Sequence, residues 1–303
     1  MKQKKPLVSV VIPTYNRENH IKKAVMSVLN QTYPNFEIII VDDASNDETV
    51  ALAKSVDDPR IIVIVLPTNT AGTLPRNIGI ERSNGEYIAL LDSDDLWTPL
   101  KLEKQLDFIK DVDTDKFLCF TDLILFDKNA EKLKSNTPLL QEQDIMDYIF
   151  VDDNCVQTSS FLFPNHLGKE VLFDTNVRKH QDWDFCLRLR EARAKFYHLP
   201  EPLVRHNIEN LEGKITENNK YQLSIQWGER VESYLSKDAF LAFQVRALFQ
   251  YYLLMGKRWM AFSQTFAAYR KRIVGKKRLF INSIKCFLPN NVLRKKLGIK
   301  RKT

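Results

Sequence analysis

At 303 residues, with 44% hydrophobic and 27% charged positions, the chain has the composition of a soluble globular protein. It can bury a substantial core as one large domain or as a domain with an appendage. The net charge of +7 hides an asymmetry: after Asp238 there are 16 Lys and Arg residues and no acid, while the first 238 residues hold 29 basic and 38 acidic residues, a net of −9. Cys119, Cys155, Cys186 and Cys286 lack ligand spacing, and three of them lie in apolar surroundings and read as reduced core residues, consistent with a cytosolic face. The apolar run after the basic start MKQKKP is too short for a signal peptide, and no stretch is long enough to cross a bilayer.

Leu7–Ile12 reads as the first strand, closed by Pro13, which cannot donate to a ladder. His20–Leu29 carries apolar residues at helical spacing, Phe36–Val41 is a buried strand ending in Asp42 and Asp43, and Thr49–Val56 is a helix behind a Ser-Asn-Asp-Glu turn. Ile61–Leu66 repeats the strand, Leu74–Ser83 the helix, and Tyr87–Leu91 is a strand covered on both faces. This alternation predicts a Rossmann-like, mostly parallel α/β sheet flanked by helices. A helix from Pro99 to about Ile109 and a strand over Phe117–Phe126 follow. Asn129–Leu172 is irregular apart from a strand-like Thr158–Phe163. Asp182–Ala192 is helical, Phe196–Leu203 is a short strand interrupted by proline, and polar Asn207–Asn219 reads as a mobile loop. Beyond it, Tyr221–Leu235, Ala239–Met255 and Lys257–Ile273 are aromatic-rich helices, then Leu279–Leu288 is apolar between basic clusters at 276–278 and 294–296. The domain boundary falls near residue 218: 1–98 as nucleotide half, 99–218 as acceptor half, 219–303 as a basic helical extension.

The strand ends converge on one rim, where open α/β sheets bind ligands. Neither GxGxxG nor GxxxxGK[ST] follows the first strand, which removes the usual dinucleotide fingerprint and the P-loop class. Asp92, Asp94 and Asp95 end a buried strand with Ser93 between them. Such acids repel one another unless a cation or its phosphate complex compensates, although capping of the next helix is the simpler alternative. Asp182 opens a helix, where its anion is favoured as a general base requires, and Trp183 can wall a sugar ring; a plain N-cap and a core Trp are the structural alternative. His206 can complete a metal shell and Arg205 can meet a phosphate, while a structural role accounts for His206 equally well.

The segments VSVVIPTYNRENHIKKAVMSVLNQTYPNFEIIIVDDASNDET, RNIGIERSNGEYIALLDSDDLWTPLKLEKQ and HQDWDFCLRL, in this order over roughly Leu7–His206, resemble the inverting nucleotide-sugar glycosyltransferases of family 2, of the kind that build bacterial envelope polysaccharides. The resemblance implies the GT-A fold and transfer of a hexose or N-acetylhexosamine from a nucleoside diphosphate, UDP by prevalence. Asp92–Ser93–Asp94 matches the family's Asp-X-Asp motif, with Asp94 on Mn2+ or Mg2+ beneath the donor diphosphate. Pro13, Thr14, Tyr15, Asn16 and Asp42 match the nucleobase and ribose segment, and Arg76 a nucleotide contact. Asp182 inherits the base role, its usual Glu neighbour being Gln181 here. Arg205–His206–Asn207 resembles a metal- or phosphate-contacting histidine followed by a closing loop.

Two other classes share these features: a sugar-phosphate nucleotidyltransferase, which usually carries a Gly-rich basic segment where this chain has PTYNRENH, and a non-catalytic sugar-nucleotide binder. The implied acceptor is a saccharide or lipid-linked saccharide. For the basic extension the readings are an anionic membrane surface, a partner or homodimer surface, and nucleic acid, the last without a recognised reading element. The first places the protein peripherally on the inner face of the cytoplasmic membrane.

Overall fold

A computed structural model describes residues 5–70, 72–209 and 217–288. The chain divides into two compact units, one of residues 1–141 and 154–212, the other of residues 142–153 and 213–303.

The first unit begins as the alternation requires: β1 Val8–Thr14, α1 Ile21–Leu29, β2 Phe36–Asp42, α2 Thr49–Lys54, β3 Ile61–Val65, α3 Leu74–Arg82 and β4 Tyr87–Leu90. These four strands are parallel in the order β3-β2-β1-β4. Their runs are continuously apolar because both faces are covered. Val8, Val10 and Ile12 pack with Ile21, Ala24, Val25 and Val28 of α1. On the other face Val11 meets α3 at Gly79, where an added Cβ would stand 2.3 Å from Val11 Cγ1. The parallel register aligns Thr14 with Asp42, so the chain leaves β1 and β2 at one rim.

The second half of this unit is a mixed sheet. β5 Leu96–Trp97 and α4 Lys101–Ile109 lead to β6 Phe117–Phe126 and its hairpin partner β7 Glu131–Lys134. α5 Ile145–Phe150 groups with the second unit. Next come β8 Leu162–Pro164, α6 Asn165–Val171, α7 Gln181–Glu191 and β9 Lys195–Asn207, and the sheet continues from β4 as β8-β6-β9-β5.

Two local expectations change. Thr158–Phe163 is not one strand: Thr158–Ser160 forms a 3-10 turn and only Leu162–Pro164 is extended. Gln157 causes this by accepting from Ser159 N at 2.8 Å, a local bond that competes with a ladder. Conversely, β9 is thirteen residues long rather than a short interrupted strand. Pro200 and Pro202 cannot donate, and the strand absorbs them as a bulge, passing from Thr121↔Leu199 to Asp122↔Pro202 and Leu123↔Val204. Most of the expected loop after it lies outside the described residues, and the next helix begins at Glu217.

The second unit holds α5, α8 Glu217–Val231, α9 Lys237–Phe243, a π-helical turn Gln244–Leu248, α10 Phe249–Leu254, α11 Arg258–Arg270 and α12 Lys276–Phe287. Phe150, Trp227 and Phe243 form its aromatic centre, with ring centroids 5.3–6.1 Å apart. Arg246, carried on the wide π turn, donates to the carbonyls of Phe150 and Ile273 and pairs with Asp153, tying the mid-chain segment to the C-terminal helices. All four cysteines are free. Among the described residues no helix is long and apolar enough to cross a membrane, and the basic cluster at 294–296 lies outside them.

Candidate active site

The rim beyond β1, β2 and β4 is held together by side chains that bond backbone. Asp42 accepts from Ser45 N at 2.8 Å and from Ser45 Oγ at 2.5 Å. Asn16, in the left-handed region at φ 49°, donates its N–H to Ser45 Oγ and accepts from Asn46 N, at 2.8 and 3.0 Å. Asp43 holds the loop after β3 by accepting from Thr70 N at 2.9 Å and Thr70 Oγ1 at 2.8 Å. Tyr15 projects as an exposed ring, while Thr14 is buried. Thr14 Oγ1 and Arg76 Nε are buried without a hydrogen-bond partner among the described residues. Buried polar atoms are costly to leave unmatched, so these two mark where a polar ligand would be accepted.

The acids after β4 divide by direction. Asp95 is fully buried. It accepts from Ser159 Oγ (2.6 Å), Asn207 N (2.8 Å), His206 Nδ1 (3.0 Å) and Gln157 Nε2 (3.2 Å). It therefore fixes the turn to β9 and is not free to bind a ligand. Asp92 and Asp94 stay half-buried on either side of buried Ser93. Asp92 meets Arg76 Nη2 at 2.5 Å and Thr158 Oγ1 at 3.0 Å, and Asp94 meets Arg17 Nε at 3.3 Å. The acids are thus compensated by arginines, and the capping role assigned as the simpler alternative is not what Asp95 performs.

Arg76 also joins the two halves. Its Nη1 donates to Gln181 Oε1 at 2.6 Å while Nη2 holds Asp92, so the acid turn and the first turn of α7 are linked through one guanidinium. Asp182 sits in that first turn and accepts from Trp183 N at 2.9 Å. A helix N-terminus by itself favours the anion of this carboxylate. Burial instead pushes it up to about 6, with the Asp92 charge adding and the backbone N–H groups and Arg76 opposing. Trp183 stacks flat on His180, centroids 4.3 Å apart and planes at 5°, and burial lowers the His180 imidazole to about 3.

His206 turns its Nδ1 to Asp95. Burial alone would lower this imidazole, but the hydrogen bond and charge of Asp95 prevail and raise it. An imidazole held through Nδ1 by a carboxylate has Nε2 left to face a ligand, as at metal sites. Arg205 is one residue earlier on the strand and points the other way. It pairs with Glu131 and lies 5.3 Å over Phe126, so it is not brought to the acid cluster. The sequence reading missed Arg17, next to the PTYN segment, and the Gln157–Ser159 turn, whose polar residues precede an apolar run.

Among the described residues no three His, Cys, Asp or Glu side chains close into a metal cage. The oxygen donors fit a hard divalent ion held by one carboxylate together with ligand phosphates.

Comparisons with known proteins place the chain in a family. The model of glycosyl transferase family 2 matches residues 9–166. The amylovoran biosynthesis glycosyltransferase AmsB of Erwinia amylovora is 29% identical, over 86% of this chain and 89% of its own. An uncharacterized glycosyltransferase of Haemophilus influenzae is 32% identical, over 73% and 85%. Among solved structures, residues 1–349 of S. aureus TarS in complex with UDP superpose with a TM-score of 0.60 at 18% identity, covering 96% of this chain and 91% of that one. The mannosyltransferase PcManGT of Pyrobaculum calidifontis, in complex with GDP-Man and Mn2+, gives 0.58 at 16%, covering 98% and 84%. The nucleotidyltransferase and non-catalytic alternatives are set aside: the chain belongs to glycosyl transferase family 2 and is a glycosyltransferase with the GT-A fold.

Proposed function

We propose that this enzyme is a metal-dependent inverting transferase that moves a hexose or N-acetylhexosamine from a UDP-sugar to a hydroxyl of a saccharide or lipid-linked saccharide, working peripherally at the inner face of the cytoplasmic membrane. The observation that carries the reading is the Asp92–Arg76–Gln181 link, which sets the first turn of α7, and with it Asp182, beside the acids after β4. Support for the donor class comes from neighbours holding UDP, UDP-GlcNAc and GDP-Man. Support for the acceptor class comes from relatives named for amylovoran and teichuronic acid biosynthesis.

In this mechanism Pro13, Thr14, Tyr15, Asn16 and Asp42 hold the nucleobase and ribose. Arg76, Asp92 and Ser93 position the diphosphate, and Asp94 with His206 Nε2 would hold Mn2+ or Mg2+ against it. The bound ion supplies charge neutralisation for the leaving diphosphate. Asp182 takes the proton of the acceptor hydroxyl as its oxygen attacks the anomeric carbon, and the carbon–oxygen bond to the diphosphate breaks from the opposite side. One displacement inverts the anomeric configuration. Trp183 lines the sugar side.

The test is to screen nucleotide sugars with Mn2+ against a lipid-linked acceptor pool, reading nucleoside diphosphate release and product anomer. Asp94→Ala should abolish metal-dependent donor binding. An α-linked product from an α-linked donor, or donor affinity unchanged by Asp94→Ala, would overturn the assignment.

A further inference from the structure

The hairpin of α11 and α12 carries an apolar face that, among the described residues of its unit, stands exposed. The two helices run antiparallel: Arg258 Nη1 donates to Cys286 O at 3.0 Å, and Asn282 Nδ2 to Thr265 Oγ1 at 3.3 Å. Ala261, Thr265, Ala268, Asn282 and Cys286 form the buried side. On the opposite side stand Trp259, 77% exposed, Phe287, 76%, and Phe280, 67%. Phe262 stacks along α11 with Trp259 and Phe266 and touches Phe287 across the hairpin, with centroids 5.7–6.2 Å apart. The spacing 259, 262, 266 and 280, 284, 287 makes two aligned stripes, one per helix, so the exposed aromatics form one surface and not scattered residues. Solvated helices rarely expose such a surface.

Charge selects what covers it. Lys257 and Arg258 lie at one end of the hairpin, Arg270, Lys271, Arg272, Lys276, Lys277 and Arg278 at the other, and the sequence has no acid after Asp238. Lys271 pairs with Asp238 at 2.6 Å. A protein partner or a second copy of this basic unit would have to present a large acidic, apolar surface. An anionic bilayer supplies both properties at once: aromatic rings enter the headgroup boundary while Lys and Arg meet lipid phosphates. We propose that the Trp259–Phe280–Phe287 face is an interfacial anchor that seats the protein on anionic phospholipid. The inference rests on the peripheral placement proposed above and is independent of the sugar chemistry.

The full-length chain would be sedimented with vesicles of phosphatidylcholine alone and with about 30% phosphatidylglycerol, near physiological salt. The wild type should partition onto the anionic vesicles alone, with a blue shift of Trp fluorescence that is absent in Trp259→Phe. The triple variant Trp259→Ser, Phe280→Ser, Phe287→Ser should lose partitioning by about tenfold or more while unfolding at the wild-type temperature, since all three side chains are exposed. If the wild type binds and the triple variant binds equally, this face is not the anchor although the peripheral placement stands. If the wild type does not bind, both fall. A dimer in ultracentrifugation that the triple variant breaks would assign the face to a second copy and overturn the proposal.

Discussion

Arg17 Nε lies 3.3 Å from Asp94 Oδ2, and the same guanidinium donates through Nη1 to Asn16 O at 2.9 Å. The proposed metal carboxylate is therefore held by a cation anchored on the loop after β1, the proposed nucleobase segment. A divalent ion arriving at Asp94 has to displace Arg17 or share the carboxylate with it. Arg17→Gln should tighten Mn2+ binding to the enzyme alone by about three- to tenfold, the scale of a partly exposed ion pair together with relieved like-charge repulsion. Titration of free Mn2+ by electron paramagnetic resonance measures this directly, and an unchanged or weaker affinity would remove Arg17 from the role.

As the proposed base, Asp182 should make activity and stability depend on pH in opposite senses. With its carboxyl at about 6, kcat/KM should climb roughly tenfold per pH unit below that value and level off above it. Asp182→Asn should lower transfer by about 10²–10⁴-fold and leave nucleotide affinity intact. The folded carboxyl is raised above its ordinary 3.8, so the folded protein holds the proton more tightly. That proton stabilises the fold fully below 3.8, and the stabilisation is lost as pH rises through about 6. At neutral pH the ionised side chain is a net cost. Asp182→Asn should then raise Tm at pH 7, by the equivalent of about 1–2 kcal/mol, and converge on wild type near pH 4. A lower Tm at pH 7 would contradict the burial argument.

Gln181 supplies a neutral acceptor to Arg76, 2.6 Å away. Gln181→Glu would turn this into a charge-assisted bond and place a second negative charge next to Asp182. The lower limb of the pH–rate profile should move to more alkaline pH, while Gln181→Met should leave its position nearly unchanged. The profile itself is the measurement, and coincident limbs for wild type and Gln181→Glu would rule out the coupling.

The α3–β1 contact gives a stability prediction outside the chemistry. Gly79→Ala places a methyl 2.3 Å from Val11 Cγ1, so one side must move. The expected loss is about 1–3 kcal/mol by denaturant unfolding, partly recovered in the double variant with Val11→Ala. Equal stability of Gly79→Ala and wild type would show that the helix can lift without cost.

The parallel half of the sheet was legible because its strands are buried on both faces and its helices repeat at 3.6 residues, so burial writes itself into the apolar pattern. The rim was legible through acids that stop those strands. What stayed hidden were polar groups whose partners are distant in sequence. Lys101, charged and near the start of α4, is buried with Nζ 3.8 Å over the Trp97 ring, a partner no helical periodicity points to. By residue type and spacing alone Asp95 is like Asp92 and Asp94; what sets it apart is the convergence of Ser159, His206 and Asn207, distant in sequence, on its carboxylate. The length of β9 was masked by prolines whose cost the bulge absorbs. Arg205 and His206 are neighbours in sequence, and only the pleat of the strand separates the one on the Glu131 side from the one on the acid side.

The pairing of Asp92 with Arg76 and of Asp94 with Arg17 leaves these two carboxylates formally neutralised before anything binds. A nucleoside-diphosphate sugar with its divalent ion is also close to neutral as a package. Loading the proposed site is then an exchange of counter-ions, with one guanidinium giving way to a metal, and not the filling of a charged well. Electrostatic attraction across solvent contributes little to such an exchange, so donor affinity in the presence of Mn2+ should change only shallowly with ionic strength.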